Sequence, residues 1–196
     1  IYGKAFERDE KGNIVLHANS DGNPLPRVIG EGNTIKVGNC SPDFLLGGNN
    51  SFRYKGITVY FLIYGRFGGD VLSQTDAELD QRGVSKRTGE ARDRGFVDIN
   101  GTQVAPKDFY TAISGRTGCT EYYMFDATNI RLREFSIGYS FPKEFLRKSN
   151  IFEDIQISVI GRNLFFFKKK APFDPDAILS IRNDNQGIDV FGMPST

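Results

Sequence analysis

Tryptophan is absent from this chain of 196 residues, and histidine occurs once, at His17. A lone histidine leaves a His-based metal site, or a catalytic dyad built on it, without its usual partners. Cysteine occurs only at Cys40 and Cys119, far apart, in glycine-rich, loop-like contexts and in no CxxC. Two unpaired thiols are the expectation, with a disulfide open in an oxidising compartment. No run approaches the ~18 consecutive apolar residues that a membrane-spanning helix needs. That excludes a helical membrane protein but not a barrel, whose strands need only about 9–11 alternating residues. The formal net charge is +1 with 25% charged residues. Such a balance lacks the basic face that phosphate neutralisation requires, so no nucleic-acid partner is expected. Neither an initiator Met nor a signal-like segment precedes Ile1, and the start reads as an internal cut with any signal peptide absent or removed.

What is abundant is glycine (22), phenylalanine (17) and tyrosine (8), a mixture that suits many short strands and turns. Residues Ile1 to Cys40 are loop-rich, with turn clusters at Asp9–Asn13 and Ser20–Pro26 around a short strand, Ile14–His17. Period-two alternation, one greasy face and one wet, begins at Asp43. Phe44, Leu46, Phe52 and Tyr54 share one parity; Leu45, Asn49, Ser51 and Arg53 share the other. Tyr54-Lys55-Gly56 predicts a tight reversal. Ile57–Tyr64 is the clearest strand, nearly apolar all round, and Gly65–Asp70 (GRFGGD) ends it. The segment up to Thr128 is polar with little periodicity. Within it Thr75–Arg82 predicts a short helix, with Thr75 capping and Glu78 completing a capping box. A loop that long inside a compact domain signals function or disorder.

Alternation returns at Asn129 with a break in phase. Ile130 and Leu132 sit on one parity, while Phe135, Ile137, Tyr139 and Phe141 sit on the other. Either a bulge re-phases the strand or the arginines Arg131 and Arg133 lie beyond the apolar zone. Pro142–Ser149 reads as a helical turn or two. The strand Asp154–Leu164 follows, with Ile155, Ile157 and Val159 on one face and Gln156 and Ser158 on the other. FFFKKK then switches from aromatic to basic, and the tail Ala171–Thr196 is turn-rich. No repeat and no sharp domain boundary is visible. The connections Tyr54–Gly56 and Phe141–Glu153 are short, whereas Phe67–Thr128 and Phe165–Val190 are long, and that segregation is an outer-membrane-barrel signature.

Four blocks carry a resemblance: Ser41–Val71, Ala127–Leu146 (ATNIRLREFSIGYSFPKEFL), Ile157–Phe167 (ISVIGRNLFFF) and Ala171–Asp176 (APFDPD). In this order and spacing the chain resembles the carboxy-terminal part of the SusC/RagA family, the TonB-linked outer-membrane transporters of Bacteroidota. The resemblance implies an all-β fold, antiparallel strands forming part of a large transmembrane β-barrel with long extracellular loops. It implies a nutrient importer of glycans or peptides, working with a SusD-like lipoprotein and, through an amino-terminal region outside residues 1–196, with the TonB complex. The plug domain and a closing strand after Thr196 are expected elsewhere in the parent protein. Outer-membrane lipid is then a partner, with Phe165–Phe167 in an aromatic girdle and Lys168–Lys170 just beyond it, near anionic headgroups. The rival class is a soluble β-rich surface binding or adhesion module.

No enzyme, cofactor or metal is expected. GRFGGD lacks the Gly-Lys-Ser/Thr of a phosphate loop. Asp174, Asp176, Asp184 and Asp189 offer oxygen ligands for calcium but match no EF-hand spacing, and a solvated loop is the expectation. Serines are numerous, but none sits in G-x-S-x-G. Glu78 and Asp80 read as surface charge rather than glycosidase carboxylates. Tyr122 and Tyr123 are weak candidates for stacking on sugar rings. No substrate-contacting residue is named by the sequence.

Overall fold

The computed structural model describes residues 1–142, 154–176 and 186–191. In chain order these residues first form six short strands: β1 (Tyr2–Gly3), β2 (Ala5–Phe6), β3 (Leu16–Ala18), β4 (Pro24–Pro26), β5 (Val28–Ile29) and β6 (Ile35–Lys36). Two long strands follow, β7 (Phe44–Tyr54) and β8 (Ile57–Phe67). Then come β9 (Asp70–Ser73), α1 (Gln74–Gln81), α2 (Lys86–Arg94), β10 (Val97–Ile99), β11 (Thr102–Val104) and α3 (Pro106–Ile113). A 3-10 turn over Thr120–Tyr123 leads to β12 (Met124–Asp126). The strands β13 (Asn129–Ser140) and β14 (Gln156–Lys169) are long again, and β15 (Ile188–Asp189) is the last described element.

The chain divides into two compact units, each assembled from separated pieces, which is why no boundary is visible along the sequence. One unit takes Pro42–Gly68 and Ala127–Pro175 and is a strand wall; the other takes Ile1–Ser41, Gly69–Asp126 and Asp176–Met193 and is a small mixed module.

In the wall, four antiparallel strands run in the order β14-β13-β8-β7. The β7–β8 hairpin closes through Lys55 and Gly56, with φ of 46° and 83°. Positive φ at both central residues is the type I′ geometry that matches strand twist, and Gly56 adopts it without a Cβ penalty. Phe44, Phe67, Asn129 and Lys169 lie at one end of the sheet and the two-residue turn at the other, because Phe44 pairs with Phe67, Tyr54 with Ile57 and Asn129 with both Arg66 and Lys169. The long connection leaves from the first end. The expected helical turn over Pro142–Ser149 lies outside the described residues from position 143 onward.

The phase break in β13 is a bulge. Leu132 pairs with Ile63 and Glu134 with Leu62, leaving Arg133 as the extra residue. A single inserted residue returns Phe135 and Ile137 to the side already held by Ile130 and Leu132. Two strands outrun their expected ends: β8 continues through Gly65 to Phe67, and β14 continues past Leu164 to Lys169.

The module is held by its own core of Phe6, Ala91, Ile99, Val104, Phe109, Tyr110, Ile113 and Cys119, with Leu16, Leu25 and Val28 packed against it. Helix α1 begins at Ser73, whose hydroxyl accepts from the Asp76 N–H at 3.1 Å. The expected cap, Thr75, lies inside the first turn instead, and its hydroxyl accepts from the Phe191 N–H at 2.6 Å. Helices α2 and α3 were not expected. The first is capped by Ser85, accepting from the Thr88 N–H at 3.2 Å; the second starts with Pro106, whose missing N–H costs nothing there. The short β15 adds in parallel to β9, a pairing between residues more than a hundred positions apart.

Candidate functional site

Cross-strand pairing fixes which side chains share a face of the wall. On one face stand Tyr54, Ile57, Tyr139 and Ile157 in one row and Phe52, Val59, Ile137 and Val159 in the next. This face is apolar and open: Phe52 is 59% exposed, Ile137 46% and Val159 68%. Aromatic pairs mark both ends. Phe44 stacks on Phe67 at 4.6 Å and Phe165 meets Phe167 edge-on at 4.8 Å at one end; Tyr139 meets Phe141 at 5.1 Å at the other. Burying one large apolar side chain is worth roughly 1.5–3 kcal/mol, so water is the wrong solvent for such a face. That counts against a soluble module.

The opposite face is ionic and aromatic. Tyr64 pairs with Arg131, which pairs with Phe166, so the three stand side by side. The Arg131 guanidinium lies 5.6 Å from the Tyr64 ring centre and 5.7 Å from that of Phe166. Buried between the rings, it meets the Asp174 carboxylate at 3.5 Å, which ties the APFDPD segment to the wall. Arg133, aimed to this face by the bulge, lies 5.0 Å over Tyr64, and the Lys169 ammonium lies 5.2 Å over Phe166. Further along, Arg162 meets Glu134 at 3.2 Å, and Arg53 donates to the Thr58 hydroxyl at 3.3 Å. Arg66 shares the face, opposite Asn129.

Phe166 corrects the girdle expected from Phe165–Phe167. Adjacent residues of a strand point to opposite faces, so only Phe165 and Phe167 join the apolar rim, whereas Phe166 turns to the ionic side. Lys168 pairs with Ile130 and stands on the apolar side at the end of the sheet. Of the expected turn Gly65–Asp70 only Gly68 and Gly69 leave the strands, with φ of 73° and 78°, between the end of β8 at Phe67 and the start of β9 at Asp70. The Gly68 N–H donates to the Thr128 hydroxyl at 3.0 Å, and a Cβ there would collide with Asp43.

In the module, Asp80 is not surface charge. Its carboxylate is buried, meets Arg87 Nε at 3.0 Å and accepts from the Tyr123 hydroxyl at 2.9 Å. Arg87 also bridges to Asp76 at 2.9 Å, and burial pushes the Asp76 carboxyl above its usual range. Glu78 faces Arg82 at 4.0 Å. Tyr123 is 1% exposed and its hydroxyl lies 2.6 Å from that of Ser114, while Tyr122 packs edge-on against Phe6 and Phe109. Tyr123 is interior and Tyr122 is half-buried with its ring packed against that core, so neither stands as an open stacking platform for a sugar. Desolvation drives the Tyr123 phenol far above its usual pKa, consistent with a neutral donor to Asp80.

The solvated-loop expectation fails for two aspartates. Asp174 is the buried partner of Arg131, and Asp189, also buried, accepts from the Ser73 hydroxyl at 3.2 Å. Asp184 lies outside the described residues. No group of three or more potential metal ligands gathers among the described residues. His17 is exposed on β3. No disulfide joins Cys40 and Cys119; the Cys119 side chain is fully buried and points to the Lys4 carbonyl at 3.9 Å. The sequence singled out Arg131 and Arg133 at the phase break but gave no ionic-face residue a role in binding. The signal was present, since the bulge at Arg133 sorts them from the apolar set.

One ionic face and one apolar face rimmed by aromatics at both ends is the pattern found in the walls of outer-membrane β-barrels. Strands of 11, 11, 12 and 14 residues suffice to cross, since about 9–11 tilted residues span the hydrocarbon. No family model matches the chain. It is 30% identical over 170 residues to TonB-dependent receptor P3 of Formosa agariphila, covering 87% of this chain and 16% of that protein. It is 26% identical over 176 residues to TonB-dependent receptor P39 of the same organism, covering 89% and 16%. The fold is similar to the RagAB peptide importer in its open-open state, with a TM-score of 0.62 and 16% identity over 96% of this chain and 20% of that one. In the closed-closed state the TM-score is 0.52, with 14% identity over 86% and 19%. The resemblance carried by the sequence blocks therefore stands. Over most of its length the chain is similar to a segment of TonB-dependent receptors, and its fold is that of a part of the RagAB importer. It spans about a sixth of the length of the curated relatives it matches.

Proposed function

We propose that this chain is the carboxy-terminal barrel portion of a TonB-dependent importer, in which the wall crosses the outer membrane and the long connection from Phe67 to Thr128 is extracellular. The plug domain, the TonB-contacting region and the closing strand belong to other parts of the parent protein. Substrate, a glycan or a peptide, enters under a SusD-like lipoprotein and passes along the lumen, which the ionic face lines. The observation that carries this reading is the division of one sheet into an apolar and an ionic face. An eleven-residue strand rising roughly 3.4 Å per residue is about 37 Å long, or about 26 Å across a bilayer at 45° tilt, close to the ≈ 25 Å apolar band of such barrels. The name of the RagAB importer favours peptides; nothing in the wall itself separates the two cargoes.

Two measurements test this. The intact parent protein is expected in the detergent-soluble outer-membrane fraction with heat-modifiable gel mobility, and partition into the aqueous phase overturns the barrel. Deletion of its gene is expected to abolish growth on one glycan or peptide source, and unchanged growth on every source tested overturns the importer.

A further inference from the structure

Six basic side chains occupy the ionic face (Arg53, Arg66, Arg131, Arg133, Arg162 and Lys169); Asp174 pairs with Arg131 and Glu134 with Arg162, while Asp43 and Asp154 lie just before β7 and β14 at the edges of the sheet. An excess of one sign along a low-dielectric wall concentrates ligands of the other sign. The carboxylates already on this face indicate the preferred ligand chemistry. Asp174 sits on Arg131, walled by Tyr64 and Phe166, and Glu134 sits on Arg162. Guanidinium is planar and its N–H fork matches a carboxylate, while an aromatic ring under it fixes its plane and leaves its edge available.

Arg131 is used up inside the wall. Arg133 and Lys169 are different: both are exposed, and each lies over a ring whose other neighbour is Arg131. Arg162, with its side chain 74% exposed, continues the line toward the turn end. From Arg162 to Lys169, at roughly 3.3 Å per residue, the cations extend over about 20 Å, the reach of an extended oligomer rather than of a single small ion.

We infer that the lumenal face of this wall is a track for carboxylate-bearing oligomers, with Arg133 and Lys169 as its accessible anchors and the Arg131–Asp174 pair as the fixed support that holds Tyr64 and Phe166 beneath them. The inference rests on the importer reading for the direction in which the face points. The shared chemistry is the carboxylate, whether carried by an acidic peptide or by a uronic-acid oligosaccharide.

The test uses the full-length receptor in detergent and two matched pairs of probes: trigalacturonate against its methyl ester, and a glutamate-rich pentapeptide against its glutamine counterpart. Titration at low salt is expected to give at least a tenfold tighter Kd for the acidic member of one pair, and the pair that responds identifies the source. The preference is expected to shrink as salt screens the charges. It is expected to fall below threefold in R133Q/K169Q and to persist in R133K/K169R, with both variants keeping heat-modifiable mobility. Equal binding within both pairs, or a preference that survives R133Q/K169Q, overturns the inference. Uptake by intact cells separates the two readings. Import of a neutral oligomer without acidic preference sinks the track and leaves the importer standing. Acidic preference in the purified receptor without any import sinks the importer and leaves the anion-binding face.

Discussion

The wall and the module dispose of their apolar side chains in opposite ways. In the wall, Val159 and Phe52 point outward and are more than half exposed, while Arg131 is buried at 6%. In the module, Ile113 and Val104 are fully buried at 0% and the ion pairs Arg8–Glu121 and Arg27–Glu7 lie partly exposed. Both arrangements follow one rule, that apolar surface leaves water. They differ in where the non-aqueous phase is: for the module it is the protein's own interior, for the wall, in the importer proposed above, it is the bilayer. Polar groups follow the reverse course, so the wall's ions gather on the face away from lipid, where each finds a partner or an aromatic ring.

The largest effect should come from the module's buried ionic centre. Asp80→Ala would leave Arg87 with Asp76 alone and the Tyr123 hydroxyl with Ser114 alone, and breaking a buried pair costs up to about 3–5 kcal/mol. Near-UV circular dichroism of the core tyrosines should lose its cooperative transition or shift it sharply. A cost near zero would mean the module does not depend on that pair.

A pair of substitutions tests the contrast between the two regions directly. Ile113→Ala should cost about 2–5 kcal/mol in the module, as a truncated core side chain does. Ile137→Arg should cost roughly 2–4 kcal/mol in lipid, the price of a cation near the midplane of a barrel wall. A water-facing surface would tolerate that change within about 0.5 kcal/mol. Folding titrations into lipid vesicles read both, and tolerance of Ile137→Arg would place that face in water.

The acid response of the module should be smaller. Burial pushes the Glu121 carboxyl upward, but hydrogen bonds from Arg8 and the Phe6 N–H outweigh it and hold it below its ordinary value of 4.5. A carboxylate depressed in the folded state contributes stability that is present above pH 4.5 and is lost as pH falls through the folded value. Asp76, raised by burial, leans the other way. Glu121→Gln should therefore flatten the loss of stability below pH 4.5, measured by denaturant midpoint against pH; an unchanged slope would remove Glu121 from the acid response.

The smallest effect is chemical. The Cys119 thiol is buried, with its pKa pushed up to about 11, chiefly by desolvation. Because the thiolate is the nucleophile, the sole thiol of a Cys40→Ser chain should resist iodoacetamide at pH 8 while folded and react once denatured. Prompt labelling of the folded chain would show that the module core opens.

The two regions were also unequally legible. Alternation at Phe44–Tyr54 and Ile57–Tyr64, with Lys55-Gly56 between them, predicted a hairpin that the structure contains. The phase break at Arg131 and Arg133 pointed to a bulge without assigning the inserted residue. The module was nearly opaque: α2, with the sequence KRTGEARDR, buries only Thr88 and Ala91, too little for a helical period to emerge. Its core draws Phe6 from the first piece of chain and Ala91, Phe109 and Cys119 from the second, so no sequence window contains it. Tyr122 and Tyr123 looked like surface aromatics because the neighbours that bury them are remote in sequence.

By itself, then, the sequence determined the strands of the wall, their two-faced character and the two-residue turn. All three follow from covalent geometry, since side chains alternate wherever a strand is extended, whatever lies beyond it. Only the tertiary structure decided that Arg133 is the inserted residue, that Phe166 turns to the ionic face, and that Asp80 and Tyr123 are interior. Each of these depends on the register or packing of chain segments far apart in sequence, which no local pattern encodes.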